Sequence, residues 1–529
     1  MKPSQQRVLI IGGGPVGLTL AALLLKHNIS SKIIEADPSY CTGSRAICLS
    51  RRSLEILDWA GAAQAIVAKG LPWTGGRSYF RDEEVLHFDM PHDPTQRFAP
   101  MTNIQQFYVE QAIHEAIECE SKERNTPDAV QVLWNTKLVS FTQISDGVSG
   151  GVCAVLESDG KRFTEQADWL IACDGGRSTV REQMQLPLKG IQYEGRYVIV
   201  DVVQKSTRLQ SHPVERLAWF DPPSNPGSTV LMHRQPDDVW RIDYQVGDHE
   251  DPLEAVKAEN VLPRVKAHFA WIGESEPWEP LWISIYNAKC LSLDKYRHER
   301  ILFAGDAAHL VPIFGVRGLN SGIDDAGNLA WKLSAIINKI GGDSLLDSYS
   351  TERRAAAQIN MTYGAKSTEF MSPPNHGFDL LRKATLRLAS STPAIRSLIN
   401  PRQSLPVKYQ SISSDQINSQ SKFVGLVAPE ALVNIEGTST HLTQFFGRYF
   451  YLLCFGAPWS IAGLKTLHIN DQADPSGQAR ERYEANQHSA FLVRPDGYIA
   501  AHFESPSEQQ IIDAHQSSLA NQGADLASA

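Results

Sequence analysis

The sequence is poor in cysteine: seven in 529 residues, at positions 41, 48, 119, 153, 173, 290 and 454. They are odd in number and never spaced as C-x-x-C, which argues against a disulfide framework, a zinc site and a dithiol redox centre, and suits a reducing cytoplasm. No metal site is expected. Basic runs are also missing, and the net charge is −9, so nucleic acid and anionic membrane are poor partners and a small molecule is the better one. There is no repeat of 20–50 residues and no low-complexity tract. The one long uncharged run, Val8 to Leu25, follows a Lys and an Arg and superficially resembles a signal peptide or membrane span. Glycines and a proline interrupt its middle, and no small-residue cleavage site precedes Lys26 and His27, so it reads as cytosolic core. Hydrophobic residues at 42% and charged residues at 21% describe an ordinary globular chain, too long for one core, in which two or three domains are expected.

Within that run, Val8 to Ile11 is a buried parallel strand by composition, and Gly12, Gly14 and Gly17 follow at G-x-G-x-x-G spacing. Gly12 allows a sharp turn, Gly14 lets backbone approach a pyrophosphate, and Gly17 lets the next helix lie close on the strand. The helix starting near Pro15 turns free N–H groups and its positive dipole end toward the phosphates. Glu35 ends the next apolar run, where a carboxylate accepts ribose hydroxyls. Strand, turn, helix and acid together specify a dinucleotide.

The chain continues through a loop containing Arg45, a residue that either crosses the phosphates or is simply solvated. A helix follows from Ser50 or Arg51, turn-rich strands occupy 72–103, and Gln106 opens another helix. A second apolar strand ends at Asp174-Gly175, next to Arg177 and Arg181, and a third ends at Gly305-Asp306, the carboxyl edge where open α/β sheets bind ligands. Tyr197–Val203, Arg216–Phe220, Thr229–His233 and Trp240–Val246 read as strands separated by turns, so 186–289 is expected to be a β-rich insert with few helical periods. Ile323, Ala326, Ala330, Leu333 and Ile337 share one helix face behind Gly318. Residues 401–421 read as a Ser/Gln/Asn-rich linker, and 422–529 as a small α/β domain.

Three motifs in order, Gly12-x-Gly14-x-x-Gly17, Asp174-Gly175 with Arg177 to Arg181, and Gly305-Asp306-Ala-Ala-His309-x-x-Pro312, resemble those of the single-component flavin-dependent aromatic hydroxylases. That group contains p-hydroxybenzoate hydroxylase, phenol hydroxylase and 3-(3-hydroxyphenyl)propionate hydroxylase. The resemblance covers Arg7 to about Arg354. It implies an α/β fold: a Rossmann-type FAD-binding domain from 1–185 and 290–400, with some strands near 72–103 joining an inserted β-sheet substrate domain at 186–289. The turn Arg494-Pro-Asp-Gly-Tyr498 extends the likeness to a C-terminal thioredoxin-like domain, for packing or for a homodimer contact.

By the same resemblance Gly12, Gly14, Pro15, Val16, Gly17, Glu35 and Ala36 bind the ADP half of FAD. Arg45 lies near the pyrophosphate, Gln106 near the ribityl chain and Leu138 near the adenine, while Asp174 serves both FAD and nicotinamide nucleotide. Gly305, Asp306 and Pro312 hold the ribityl side, and Gly318, Leu319 and Asn320 the pyrimidine edge of the flavin. Two departures stand out: Ile313-Phe314, where relatives often carry proline and glycine, and the charge of Arg317. The implied reaction uses NAD(P)H as a transient co-substrate and O₂ to hydroxylate a phenolic ring through a flavin C4a-hydroperoxide; no second G-x-G-x-x-G holds the nicotinamide nucleotide. Trp219, His233, Arg241 and Tyr244 are the pocket candidates, each with ordinary sheet packing as its competing explanation. No residue stands out as catalytic acid or base, and His309 reads as structural. Two alternatives stay open: another flavoprotein oxygenase, such as an epoxidase or Baeyer–Villiger enzyme, and a non-catalytic flavin-binding sensor.

Overall fold

The computed structural model describes residues 7–144, 150–247, 250–399, 403–410 and 421–520. Val8–Ile11 lies at the centre of a six-stranded sheet, parallel to Trp169–Ala172 on one side and to Ser31–Ile34 on the other, with Ile10 in register with Ile171 and Ile33. Ile301–Phe303 and Val130–Leu133 extend the parallel set, and the short Arg297–His298 closes one edge antiparallel. Strands buried on both faces need apolar side chains throughout, which is why these runs do not alternate. The helices Pro15–Lys26 and Gly318–Ile337 cover one face, and Thr136–Ile144, Gly151–Ser158 and Lys161–Ala167 form a three-stranded antiparallel sheet beside it.

The insert forms an eight-stranded sheet with the order His309–Leu310, Trp278–Ser292, Lys189–Gln204, Val239–Val246, Thr229–Arg234, Arg216–Phe220, Gly75–Phe80 and Glu83–Asp89. Its two faces differ because side chains alternate along each strand. Val198, Val200, Val202, Trp219, Val230, Met232, Trp240, Ile242 and Tyr244 turn to one face and pack on Val261, Val265 and Phe269 of the helix Ala258–Trp271. That fourteen-residue helix corrects the expectation of few helical periods in the insert: apolar residues at 261, 265 and 269 carry a four-residue period despite Pro263. Tyr197, Ala218, Phe220 and Leu231 turn to the other face, together with Phe314 and Met371.

The C-terminal sheet runs Lys465–His468, Tyr451–Cys454, Ala490–Val493, Ile499–Phe503, its first pair parallel and the others antiparallel, with the helix Glu508–Ser518 packed on it. Residues 403–409 correct the linker expectation. Tyr409 is buried, stacks on Tyr498 with ring centroids 4.1 Å apart, and accepts a hydrogen bond from Arg353 at 2.6 Å; residues 401, 402 and 411–420 of the expected linker lie outside the described set. Among the described residues no helix is long and apolar enough to cross a membrane, and no cluster of His, Cys, Asp and Glu could hold a metal.

The C-terminal unit grips the rest through charged groups. Arg52 on the helix Arg51–Trp59 donates to the carbonyl of Asp496 at 2.5 Å and lies over the rings of Trp59 and Tyr498. Beside it Glu55 is buried, and burial lifts its pKa from 4.5 to about 7 against the pull of Arg52. A carboxyl whose folded-state pKa is raised contributes stability at low pH that is lost as pH rises toward 7. Glu55→Gln is therefore expected to melt near the wild type at pH 5 and above it at pH 8. Equal differences at the two pH values would remove Glu55 as the cause.

Candidate functional site

The carboxyl ends of the three central strands meet around Val16. A Cβ on Gly12, at φ +107°, would stand 2.3 Å from the carbonyl oxygen of Cys173, and one on Gly17 would stand 2.1 Å from the carbonyl oxygen of Gly12. These two glycines are fixed by internal packing. Gly305 and Gly322 both close on Val16, with Cβ positions 3.1 and 2.6 Å from its Cγ2, so the glycine turn, the Asp306 turn and the long helix touch at one residue. Arg181 ties in the remaining motif by donating to the carbonyls of Gly176 at 2.6 Å and Ala307 at 3.1 Å.

Gly14 is different. Its φ of −70° suits any residue, and no atom lies within 4 Å of its Cβ position. Nothing among the described residues requires glycine there; close approach of a ligand to the backbone would. The helix it precedes has no side-chain cap, and neither does the helix beginning at Gly318, whose own Cβ position meets the carbonyl oxygen of Val311 at 4.0 Å. Both helix N-termini therefore keep unsatisfied N–H donors. Glu35 accepts the N–H of Gly13 at 2.6 Å and of Asp37 at 2.9 Å, with Ala36 between, and each carboxylate oxygen keeps a lone pair for a hydroxyl.

The acids between these helix ends are short of partners. Asp174 uses one oxygen to accept from Val180 N at 3.2 Å, and the other is buried without a partner among the described residues. Asp306 opens to solvent along the cradle but is crowded by protein elsewhere; burial pushes its pKa up, His309 and Arg181 pull it back, and among the described residues no donor bonds its carboxylate. Bare helix N–H donors and unfilled carboxylate acceptors are the groups that a dinucleotide with two sugar-like chains requires, so the cradle fits FAD.

The other expected residues frame this cradle. Gln106 accepts from Ala46 N at 3.2 Å and donates to Glu110, holding the loop of Arg45, which is exposed at φ +24°. Pro312 packs on Gly364. Leu138 is core, two residues from Thr136, whose N–H donates to the carbonyl of Glu35. The Asn320 side chain is committed to protein: it accepts from Ser50 N and Ser53 Oγ and donates to the carbonyls of Cys48 and Val316, which leaves the backbone of Gly318 and Leu319 as the open part of the turn. His309 is fully buried and bonded at 2.7 Å to Asp325, which also accepts from Gly305 N and Arg353. Arg317, the unexpected charge, is buried and donates to Asn360 and to the carbonyl of Gln403.

A cavity lies between the sheet face carrying Leu231 and the loop 313–316. Ile47, Trp73, Phe314 and Met371 complete its apolar walls, and Arg216, His233, Arg241, Asp243 and Gln403 bring polar groups into it. The four pocket candidates thus divide. His233 and Arg241, directly paired across strands, line the cavity. Trp219 and Tyr244 do not: they pair in turn with Val230 on the opposite face, where Trp219 meets His268 and Trp271 edge-on. Register assigns them to the helix-packed side. The sequence reading missed Arg216, Asp243 and Gln403, although Arg216 and Asp243 have the strand parity of Phe220 and Arg241. A larger groove of about 400 Å³ lies outside Met371, between residues 363–371, 378–385 and 397–399. It includes none of the cradle residues and shares Met371 with the cavity.

An open α/β sheet with two bare helix N-termini and unfilled acids at its carboxyl edge defines a dinucleotide-binding flavoprotein with an inserted sheet. The family model described as FAD binding domain matches residues 5–363, and the chain belongs to that family. The chain is 25% identical over 543 residues to the 3-(3-hydroxy-phenyl)propionate/3-hydroxycinnamic acid hydroxylase of Klebsiella pneumoniae (strain 342), covering 94% of this chain and 91% of that one. The protein of the same name from Mycolicibacterium smegmatis is 26% identical over 530 residues, with 94% and 90% covered. Among solved structures, the flavin-dependent monooxygenase PieE in complex with FAD and substrate matches with a TM-score of 0.82 at 20% identity, covering 99% of this chain and 100% of that one. Aklavinone-11 hydroxylase with FAD and aklavinone matches with a TM-score of 0.76 at 20% identity, with 98% and 100% covered.

Proposed function

We propose that this chain is an FAD-dependent monooxygenase that uses NAD(P)H and O₂ to hydroxylate a phenolic aromatic substrate. The observation that carries the reading is the walled cavity beside the loop that leads into the uncapped helix at Gly318. Gly12 to Gly17, Glu35 and Ala36 would hold the adenosine diphosphate half of FAD, with Arg45 near the pyrophosphate and Leu138 on the adenine side. Gln106, Asp174, Asp306 and Pro312 would hold the ribityl side, and the backbone of Gly318 to Asn320 the flavin edge. The chemistry supplied when FAD is bound is transfer of electrons from NAD(P)H and activation of O₂.

The chain's own contribution is positioning and exclusion. Phe314, Leu231, Trp73 and Met371 keep water from the ring and fix its plane. The helix dipole at Gly318 favours negative charge at the flavin edge. Arg241, held by Asp243 at 2.8 Å and by the carbonyl of Arg45 at 2.5 Å, ties the cavity floor to the loop that follows Glu35.

Two features of the relatives support the substrate class: both bear names of hydroxylases acting on hydroxyphenyl acids, and both are covered over nine-tenths of their length. A panel of phenols added to the FAD-loaded protein is expected to speed NAD(P)H loss and to give a product 16 mass units heavier in at least one case, by the addition of one oxygen atom. NAD(P)H loss that gives only H₂O₂ with every phenol would overturn the reading. A cytoplasmic location and a homodimer belong to the same proposal; the latter is read by light scattering.

A further inference from the structure

Asp306 faces the cofactor cradle with no described donor on its carboxylate, so the backbone that carries it sets its direction. The amide just before it, Gly305 N, donates at 2.9 Å to Asp325 on the helix Gly318–Ile337, and the same carboxylate oxygen is bonded to His309 at 2.7 Å. Asp325 therefore holds the turn. It is fully buried, and its other oxygen accepts from Nε of Arg353 at 2.6 Å.

Arg353, 1% exposed, uses the rest of its fork on two further elements. Nη2 donates to the carbonyl of Ser321, in the first turn of the helix that begins at Gly318, at 3.1 Å, and Nη1 donates to the hydroxyl of Tyr409 at 2.6 Å. One guanidinium thus touches the helix start, the support of the Asp306 turn and the strap 403–409. The strap is sealed to the appended unit at this residue. Tyr409 N donates to the carbonyl of Gly425 at 2.8 Å, Gly425 N donates to that of Ile499 at 2.9 Å, and the Tyr409 ring stacks on Tyr498. A Cβ on Gly425 would stand 1.9 Å from the Tyr409 carbonyl oxygen, so the two backbones are in direct contact.

A guanidinium is planar and rigid, and a buried one has no water to fall back on. Turning it to follow a displaced Tyr409 would drag Asp325 and Ser321 with it. We propose that Arg353 is a positioning residue for the flavin and that the appended unit acts on the cofactor through it: Tyr409 holds Arg353, Arg353 holds Asp325, and Asp325 holds the turn that presents Asp306. The appended unit, which lies outside the cradle, thereby sets how tightly FAD is held. This rests on the FAD cradle and not on the choice of substrate.

The test titrates FAD into the full-length apoprotein without substrate, reads binding from the quenching of flavin fluorescence, and reads the setting of the bound flavin from its visible circular dichroism. Tyr409→Phe, which removes only the hydroxyl, is expected to weaken FAD by roughly threefold to tenfold, the share of one charge-assisted hydrogen bond, and to change the visible spectrum. Trp59→Phe is the control. It cuts a different bond to the appended unit, from Trp59 Nε1 to the carbonyl of Thr443 at 2.8 Å, and is expected to melt lower while keeping wild-type affinity and spectrum. Arg353→Lys, which keeps the charge but not the fork, should weaken FAD by roughly tenfold or more, and adding Tyr409→Phe to it should cost nothing further, because the connection is already broken. Should Arg353→Lys not fold, the comparison of Tyr409→Phe with Trp59→Phe decides alone. Wild-type affinity and spectrum in Tyr409→Phe, equal losses of affinity in Tyr409→Phe and Trp59→Phe, or losses that multiply in the double variant would overturn the proposal. Its failure is separate from that of the hydroxylase reading: phenols that never yield a hydroxylated product leave it standing, whereas hydroxylation by a Tyr409→Phe protein with unaltered FAD binding removes it and keeps the hydroxylase.

Discussion

Gly14→Val is expected to yield a folded, colourless protein, whereas Gly17→Val is expected not to fold at all. At Gly14 the backbone conformation is ordinary and no atom of the described residues lies within 4 Å of the added Cβ, so the valine costs the apoprotein almost nothing. Its methyl groups would stand on the open side of the glycine turn, between the bare helix N-terminus and any pyrophosphate approaching it. FAD affinity should fall by at least roughly 100-fold, since the loss removes close backbone approach and not one contact among many. At Gly17 the same side chain would meet the Gly12 carbonyl at 2.1 Å, a backbone atom that cannot move without displacing the central strand. Absorbance at 450 nm read with circular dichroism and thermal melting separates the two cases. A Gly14→Val protein that copurifies with wild-type amounts of FAD would remove the pyrophosphate from this turn.

The second large effect belongs to Glu352. Its carboxylate is 3% exposed and accepts four hydrogen bonds: from Asn328 and Lys332 on the helix Gly318–Ile337, each at 2.8 Å, and from both terminal nitrogens of Arg494 at 2.8 and 2.9 Å. Burial alone would raise its pKa; Arg494 and Lys332 instead hold it well below the usual carboxylate range. Glu352→Leu leaves two buried cations facing an alkyl group, a change expected to cost roughly 3–5 kcal/mol and to lower the melting temperature by roughly 5–10 °C. Glu352→Gln, which keeps the shape and part of the bonding, should fall between. Because the folded-state pKa is depressed, this support is present above the ordinary carboxylate range and lost as pH falls, opposite in sign to Glu55. A Glu352→Leu protein that melts with the wild type would show the network to be dispensable.

Much of this architecture was legible in the residues because its signals were local. The turn at Gly12 to Gly17 needs small residues at fixed offsets, Ser50 caps its helix by accepting from Ser53 N, and the strand run expected at 216–220 is the strand observed. The cavity was less legible because its membership depends on register. Trp219 and His233 look alike as polar-tipped strand residues; only the pairing of Trp219 with Val230 and of His233 with Arg241 puts them on opposite faces. Arg216 was passed over because nothing near it in the chain marks it: what sets it apart is its place in the cavity, a three-dimensional property. Arg494 was read as a turn residue, and the 142 positions between it and Glu352 hid their contact.

The segment 403–409 has a consequence for anyone wishing to shorten this protein. Gln403 closes one wall of the cavity, and six residues later Tyr409 is clamped between Arg353 and the ring of Tyr498 in the appended unit. Cutting the chain near residue 400 would thus take away part of the cavity wall, and transplanting the appendage from a relative would import a foreign wall along with it. The wall of the cavity and the seat of the appended unit are thus held by one short strap.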